Sequence, residues 1–209
     1  AIDTLLHISQ GILRDMQKAA PPLLSLLRSR LQAELLTLIL LNPDREWTLT
    51  ELAQRTGGSV SSAKRQVDLA AQTGVITSRR SGNTRLVTAQ KSPLTAPLTE
   101  LLLRSFGPKH VVAEEFIGIE GVKGLYIFGS WAARYLGIAG RPPNDIDILV
   151  IGNPNRNILD EAARRAQDRL AREISVTIRS VAWWREGDGG FHDDIRKRPL
   201  VPIYEEGLV

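Results

Sequence analysis

Leu125-Tyr126-Ile127-Phe128-Gly129-Ser130-Trp131-Ala132-Ala133-Arg134, followed ten residues on by Asn144-Asp145-Ile146-Asp147-Ile148-Leu149-Val150-Ile151, decides how this chain is read. The apolar runs at 125–128 and 148–151 are short and rich in β-branched or aromatic residues, the pattern of buried strands. Between them, residues 131–136 have the composition of a short helix that starts just after Gly129-Ser130. A serine hydroxyl and free backbone N–H groups at a helix N-terminus suit a phosphate. Asp145 and Asp147 stand two residues apart at the start of the second strand. The pleat then places both carboxylates on one face and Ile146 and Ile148 on the other. Adjacent carboxylates repel, and a divalent cation relieves them; Mg²⁺ takes oxygen ligands from one or two carboxylates together with substrate phosphates. The stretch predicts a phosphate cradle facing a metal site.

Each part alone is ordinary, Gly-Ser being a common turn and Asp-x-Asp a common solvated strand start. Their order gives them joint meaning: strand, Gly-Ser, helix, loop, Asp-x-Asp, strand. With Gly129-Ser130, Arg134 and Asp145-x-Asp147, the second half of the chain resembles the nucleotidyltransferase superfamily that includes DNA polymerase β, and within it the small minimal nucleotidyltransferases. The resemblance implies that Asp145 and Asp147 hold Mg²⁺, two ions if the domain is catalytic. It implies that Gly129 and Ser130 hold the phosphates of an NTP, and that Arg134 neutralises phosphate charge or braces the carboxylates. It also implies a third catalytic carboxylate on the neighbouring strand, expected over residues 173–179. The polar face there is Glu173, Ser175, Thr177 and Arg179, so Glu173, at the strand's start, is the candidate. A role in a toxin–antitoxin pair follows only from the likeness to minimal nucleotidyltransferases.

The first half follows another rhythm. Residues 4–18 have roughly helical apolar spacing, Pro21-Pro22 breaks it, and 23–41 reads as a long, largely buried helix ended by Asn42-Pro43-Asp44. Trp47-Thr48-Leu49 is a short extended piece. Thr50 would cap a helix over 51–55, Gly57-Gly58 makes a turn, and Ser59 caps a second helix over 60–72 with Val60, Ala63 and Val67 inward. Residues 75–80 and 84–88 flank Ser81-Gly82-Asn83 as a hairpin. Helix, turn, helix and hairpin over about 23–89 resemble the ArsR-type winged helix-turn-helix regulators. That resemblance implies double-stranded DNA as partner. The outer face of the second helix, with Ser61, Ser62, Lys64, Arg65 and Gln66, would read bases, and Arg79, Arg80 and Arg85 on the wing would meet phosphates. It also implies a homodimer.

Charge agrees in direction. Residues 1–107 hold 13 Lys/Arg against 8 Asp/Glu, and residues 108–209 hold 14 against 15. There is no cysteine, and the three histidines, His7, His110 and His192, are too scattered for a zinc site. No stretch reads as a secretory signal or a bilayer span, so a soluble, cytoplasmic protein with no membrane partner is expected.

The expected architecture is α+β. Residues 1–91 form N-terminal helices and a winged helix, 92–107 a linker helix, and 108–209 a nucleotidyltransferase-like domain with a small mixed sheet. Two functions stay open: a DNA-binding enzyme that moves a nucleoside monophosphate from an NTP to a protein, RNA or small-molecule acceptor, or a transcriptional regulator whose second domain binds nucleotide with weak or no catalysis.

Overall fold

The structure, a computed structural model, describes residues 27, 29–138, 140, 143–187 and 189–208. The helix expected over 4–18, the Pro21-Pro22 break and His7 lie outside the described residues. The fold is α+β, with a three-stranded and a four-stranded sheet in two compact units. One unit runs to Pro108 and takes in Asp168–Ala171; the other holds Lys109–Gln167 and the chain from Arg172 onward. No described helix is long and apolar enough to cross a membrane.

The first unit begins with α1 (Arg30–Leu41), whose cap is Ser29, its hydroxyl accepting from Gln32 N–H at 3.2 Å. Asn42 closes the helix, its Nδ2 donating to the Leu38 carbonyl at 2.7 Å. The strand β1 (Trp47–Thr48) leads into α2 (Leu49–Arg55). Thr48, two residues earlier than expected, is the cap, accepting from Glu51 N–H at 3.1 Å. Gly57, at φ +63°, turns the chain into α3 (Val60–Ala71), which Ser59 caps as expected. Strands β2 (Ile76–Ser81) and β3 (Thr84–Ala89) pair antiparallel, with Ser81 facing Thr84 across the tight Gly82-Asn83 turn, and β1 joins β3 on its far side. Fully buried Trp47, Leu35, Ile39, Leu52, Val67, Ile76 and Val87 form the core. The helix expected as a linker, α4 (Thr95–Phe106), packs on α1 and puts Leu102 and Phe106 into that same core. Two residues of α3 depart from expectation. Val60 is 46 % exposed because it sits in the first turn, beyond the core's edge, and Gln66 is buried beside Val67.

The second unit is built from α5 (Pro108–Phe116, from Lys109 on), β4 (Val122–Phe128), α6 (Gly129–Tyr135), β5 (Asp145–Gly152), α7 (Arg156–Leu170, as far as Gln167), β6 (Glu173–Arg179), α8 (Val181–Glu186), α9 (Gly190–Lys197) and β7 (Leu200–Glu205). The sheet order is β6-β5-β4-β7; β5 and β6 run parallel, so α7 is their crossover, and the other pairs are antiparallel. On one face of β5, Ile146, Ile148 and Val150 are buried completely. On the other, Tyr126, Leu149 and Ile151 pack with Ile195, Leu208, Trp183 and Trp184. Both faces of β5 are thus covered beyond its first few residues, which is why 148–151 is apolar without alternation. Pro202 lies on the edge strand β7, where a missing N–H is tolerated.

Candidate functional site

Antiparallel pairing sets Phe128, the last residue of β4, opposite Asp147 on β5. Gly129 follows with φ +68°. A β-carbon built there would lie 2.6 Å from Asp147 Oδ2 and 3.6 Å from its Cγ, so the carboxylate rests over the glycine's Cα. The chain needs glycine at 129 twice over, for the left-handed backbone and for the space. This contact joins the Gly-Ser turn to the Asp-x-Asp strand. Asp145 and Asp147 share one face, Asp145 exposed at the strand's start and Asp147 half-buried, while Ile146 between them is fully buried. Burial first, and then the neighbouring Asp145 charge, raise the Asp147 carboxyl above its ordinary range.

Ser130 is exposed in the first turn of α6, which begins at Gly129, two residues earlier than expected. The preceding cap position is Phe128, which offers no side-chain acceptor to the free N–H groups. Behind them α6 is anchored by fully buried Trp131 and Ala132, and the Tyr135 hydroxyl accepts from Lys109 N–H at 2.8 Å. Arg134 holds its guanidinium 5.6 Å from the Trp131 ring centre.

The parallel register sets Glu173 opposite Asp145 and Ser175 opposite Asp147. Glu173 therefore shares the carboxylate face, and the position beside Asp147 is a serine. Among the described residues no group of three His, Cys, Asp or Glu side chains converges as a metal cluster. The donor set the structure brings together is a carboxylate pair with a cradling glycine, which fits a divalent cation that also draws ligands from a bound phosphate.

The same face carries aromatic residues that single-residue reading did not connect. Phe128 meets Phe191 edge-on at 6.1 Å, Trp183 lies 5.8 Å from Phe191, and the Arg179 guanidinium sits 5.0 Å from the Phe191 ring. Trp184 stacks on Tyr126 at 4.8 Å, and Phe128, Trp183 and Trp184 all pack against the core of this unit.

In the first unit, Lys64, Ser78, Arg79, Arg80, Asn83 and Arg85 line an open groove of about 640 Å³ between α3 and the hairpin. Its cations differ in state. Arg80 and Arg85 are direct cross-strand partners, a like-charge pair that destabilises a hairpin unless an anion intervenes. Asp68 intervenes on one side. It accepts from Arg85 and, at 3.0 Å, from Lys64, and these two hydrogen bonds, Arg85 first, hold its carboxyl below the ordinary range. Arg85 also donates to Ser78 Oγ at 3.0 Å. Arg79 makes a two-pronged pair with Glu46, both contacts 2.8 Å. Arg65 and Arg80 are exposed and carry no hydrogen bond or ion pair among the described residues. The Ser61 and Ser62 hydroxyls lie 2.9 and 3.0 Å from Ser59 Oγ, in the cap of α3. Asp68 was signalled by its i,i+4 spacing from Lys64. Glu46 has no local signal, because it reaches Arg79 across 33 residues of sequence.

No family model, curated protein or solved structure matches the chain.

Proposed function

We propose that the chain is a DNA-binding nucleotidyltransferase. The second unit is its polymerase β-like catalytic domain, and helix, turn, helix and hairpin in the first unit are its winged helix-turn-helix. The observation that supports the reading is the Asp147 carboxylate over Gly129, which brings together two motifs 18 residues apart in sequence. In this reading Ser130 and the uncapped N–H groups of α6 hold the β- and γ-phosphates of an NTP. Asp145 and Asp147 hold Mg²⁺, which supplies Lewis-acid polarisation of the α-phosphate when bound. Glu173, on the same face, takes the proton of the acceptor hydroxyl as general base. Arg134 adds positive charge behind the phosphates. The basic groove of the first unit binds duplex DNA as one half of a homodimer. Arg80 meets backbone phosphate, and Lys64 and Arg65 on α3 face the bases.

One observation favours a second reading, a transcriptional regulator whose nucleotide domain does not catalyse. The residue in register with Asp147 on β6 is Ser175, not a carboxylate. Incubation with α-labelled NTPs, Mg²⁺ and cell lysate tests both. Transfer of label to protein, RNA or a small molecule, lost in Asp145→Asn/Asp147→Asn, supports the enzyme. Mg²⁺-dependent nucleotide binding without transfer supports the regulator. Absence of both overturns the nucleotide site.

A further inference from the structure

Arg79 sits on β2 and Glu46 just ahead of β1, with β3 running between them in the sheet. The ion pair therefore reaches across the central strand. It is two-pronged, with Arg79 Nε on one Glu46 oxygen and Nη2 on the other, both at 2.8 Å. A carboxylate and a phosphate present the same two-oxygen fork to a guanidinium. The pair also stands at solvent, the side chains 59 % and 44 % exposed, so it is held weakly and opens readily. Arg79 lines the groove beside Arg80, which has no partner of its own among the described residues.

We infer that Glu46 occupies on Arg79 the seat of a backbone phosphate of duplex DNA, and so sets the affinity and salt dependence of the groove. The inference rests on the DNA-binding reading above. A phosphate must displace Glu46 to reach Arg79, and the displaced carboxylate then faces the DNA without a partner. Arg79 thus contributes little to binding while Glu46 is present, and Arg80 carries the contact that needs no displacement. Asp68 acts differently. It ties mostly buried Arg85 to α3, so it fixes the groove's shape and does not compete for its ligand.

The test is fluorescence anisotropy of a labelled duplex of mixed sequence at several salt concentrations, with melting temperatures recorded for each variant. Glu46→Gln should tighten binding roughly two- to fivefold, the scale of an exposed ion pair. It should also steepen the salt slope by about 0.9, the increment of one further phosphate contact. Arg79→Ala should cost little in the natural chain and should cancel the whole gain when combined with Glu46→Gln. The inference is overturned if Glu46→Gln leaves affinity and slope unchanged while Arg80→Ala weakens binding, and the DNA reading then survives. If no variant binds duplex at low salt, the DNA reading falls and the inference falls with it.

Discussion

Asp147 covers Gly129: its Oδ2 lies 2.6 Å from the point where a β-carbon on residue 129 would stand. Pairing of Phe128 with Asp147 holds the Asp-x-Asp strand and the Gly-Ser turn together, and a side chain at 129 would push the carboxylate off its seat. Gly129→Ala should destabilise the protein by about 1–3 kcal/mol, from the left-handed backbone and the contact together. It should weaken Mg²⁺-dependent nucleotide binding as well. Thermal unfolding and nucleotide titration on the same variant check it. Unchanged values in both would mean that the turn relaxes freely.

The raised Asp147 carboxyl predicts opposite effects on stability and binding. A carboxylate whose folded pKa lies above its unfolded value leaves the folded state holding more protons. Its contribution therefore falls as pH rises from the ordinary aspartate value to the raised one, and stays low at neutral pH. Asp147→Asn removes this penalty and should stabilise the ligand-free protein at pH 7. The same change should abolish Mg²⁺-nucleotide binding, because an amide cannot balance the dication. In the natural chain, binding should weaken on acidification before an ordinary aspartate would protonate. Melting curves and titrations from about pH 3.5, below the ordinary aspartate value, up to neutrality give both signs.

How much of this was legible in the sequence depends on the range of the interaction. Period-2 alternation placed Asp145 and Asp147 on one face and Ile146 on the other, because that geometry is local to the strand. Ser59 as a cap is equally local. Thr50 was the wrong cap because Thr48, two residues earlier, satisfies the same rule and pairing of β1 with β3 fixes which one applies. Glu46 on Arg79 and Asp68 on Arg85 were not legible, since strand order decides the first partner and the packing of α3 on the hairpin decides the second. A helix over 92–107 was expected as a linker; that α4 joins the first core through Leu102 and Phe106 was not legible.

Two hairpin arginines should separate. Arg80→Ala removes an exposed cation with no partner among the described residues, so stability should change by no more than about 0.5 kcal/mol. Duplex binding should weaken across all sequences, with a flatter salt slope. Arg85→Ala leaves Asp68 without its main partner and Ser78 without a donor, so it should cost about 1 kcal/mol of stability. Its effect on DNA should follow that loss of shape. Equal melting temperatures for the two variants would count against this division.

Glu173 and Ser175 separate enzyme from regulator. The register gives Glu173 to Asp145 and Ser175 to Asp147. If Glu173 is the general base, Glu173→Gln should leave nucleotide affinity nearly intact, since the proposed phosphate seat is Gly129 and Ser130. It should cut transfer by about 10²-fold or more, the scale of losing a positioned base. If the domain only binds nucleotide, Glu173→Gln should change neither quantity, and Ser175→Asp becomes the informative variant. It places a fourth carboxylate on that face, directly beside Asp147. Without metal, four like charges on one strand-pair end should lower the melting temperature, and saturating Mg²⁺ should restore it by mass action. Both outcomes are read by unfolding with and without Mg²⁺, independently of any acceptor. A Ser175→Asp protein that melts alike in both conditions would show that the face around Asp147 is not a cation site, and the nucleotide reading would lose its chemical basis.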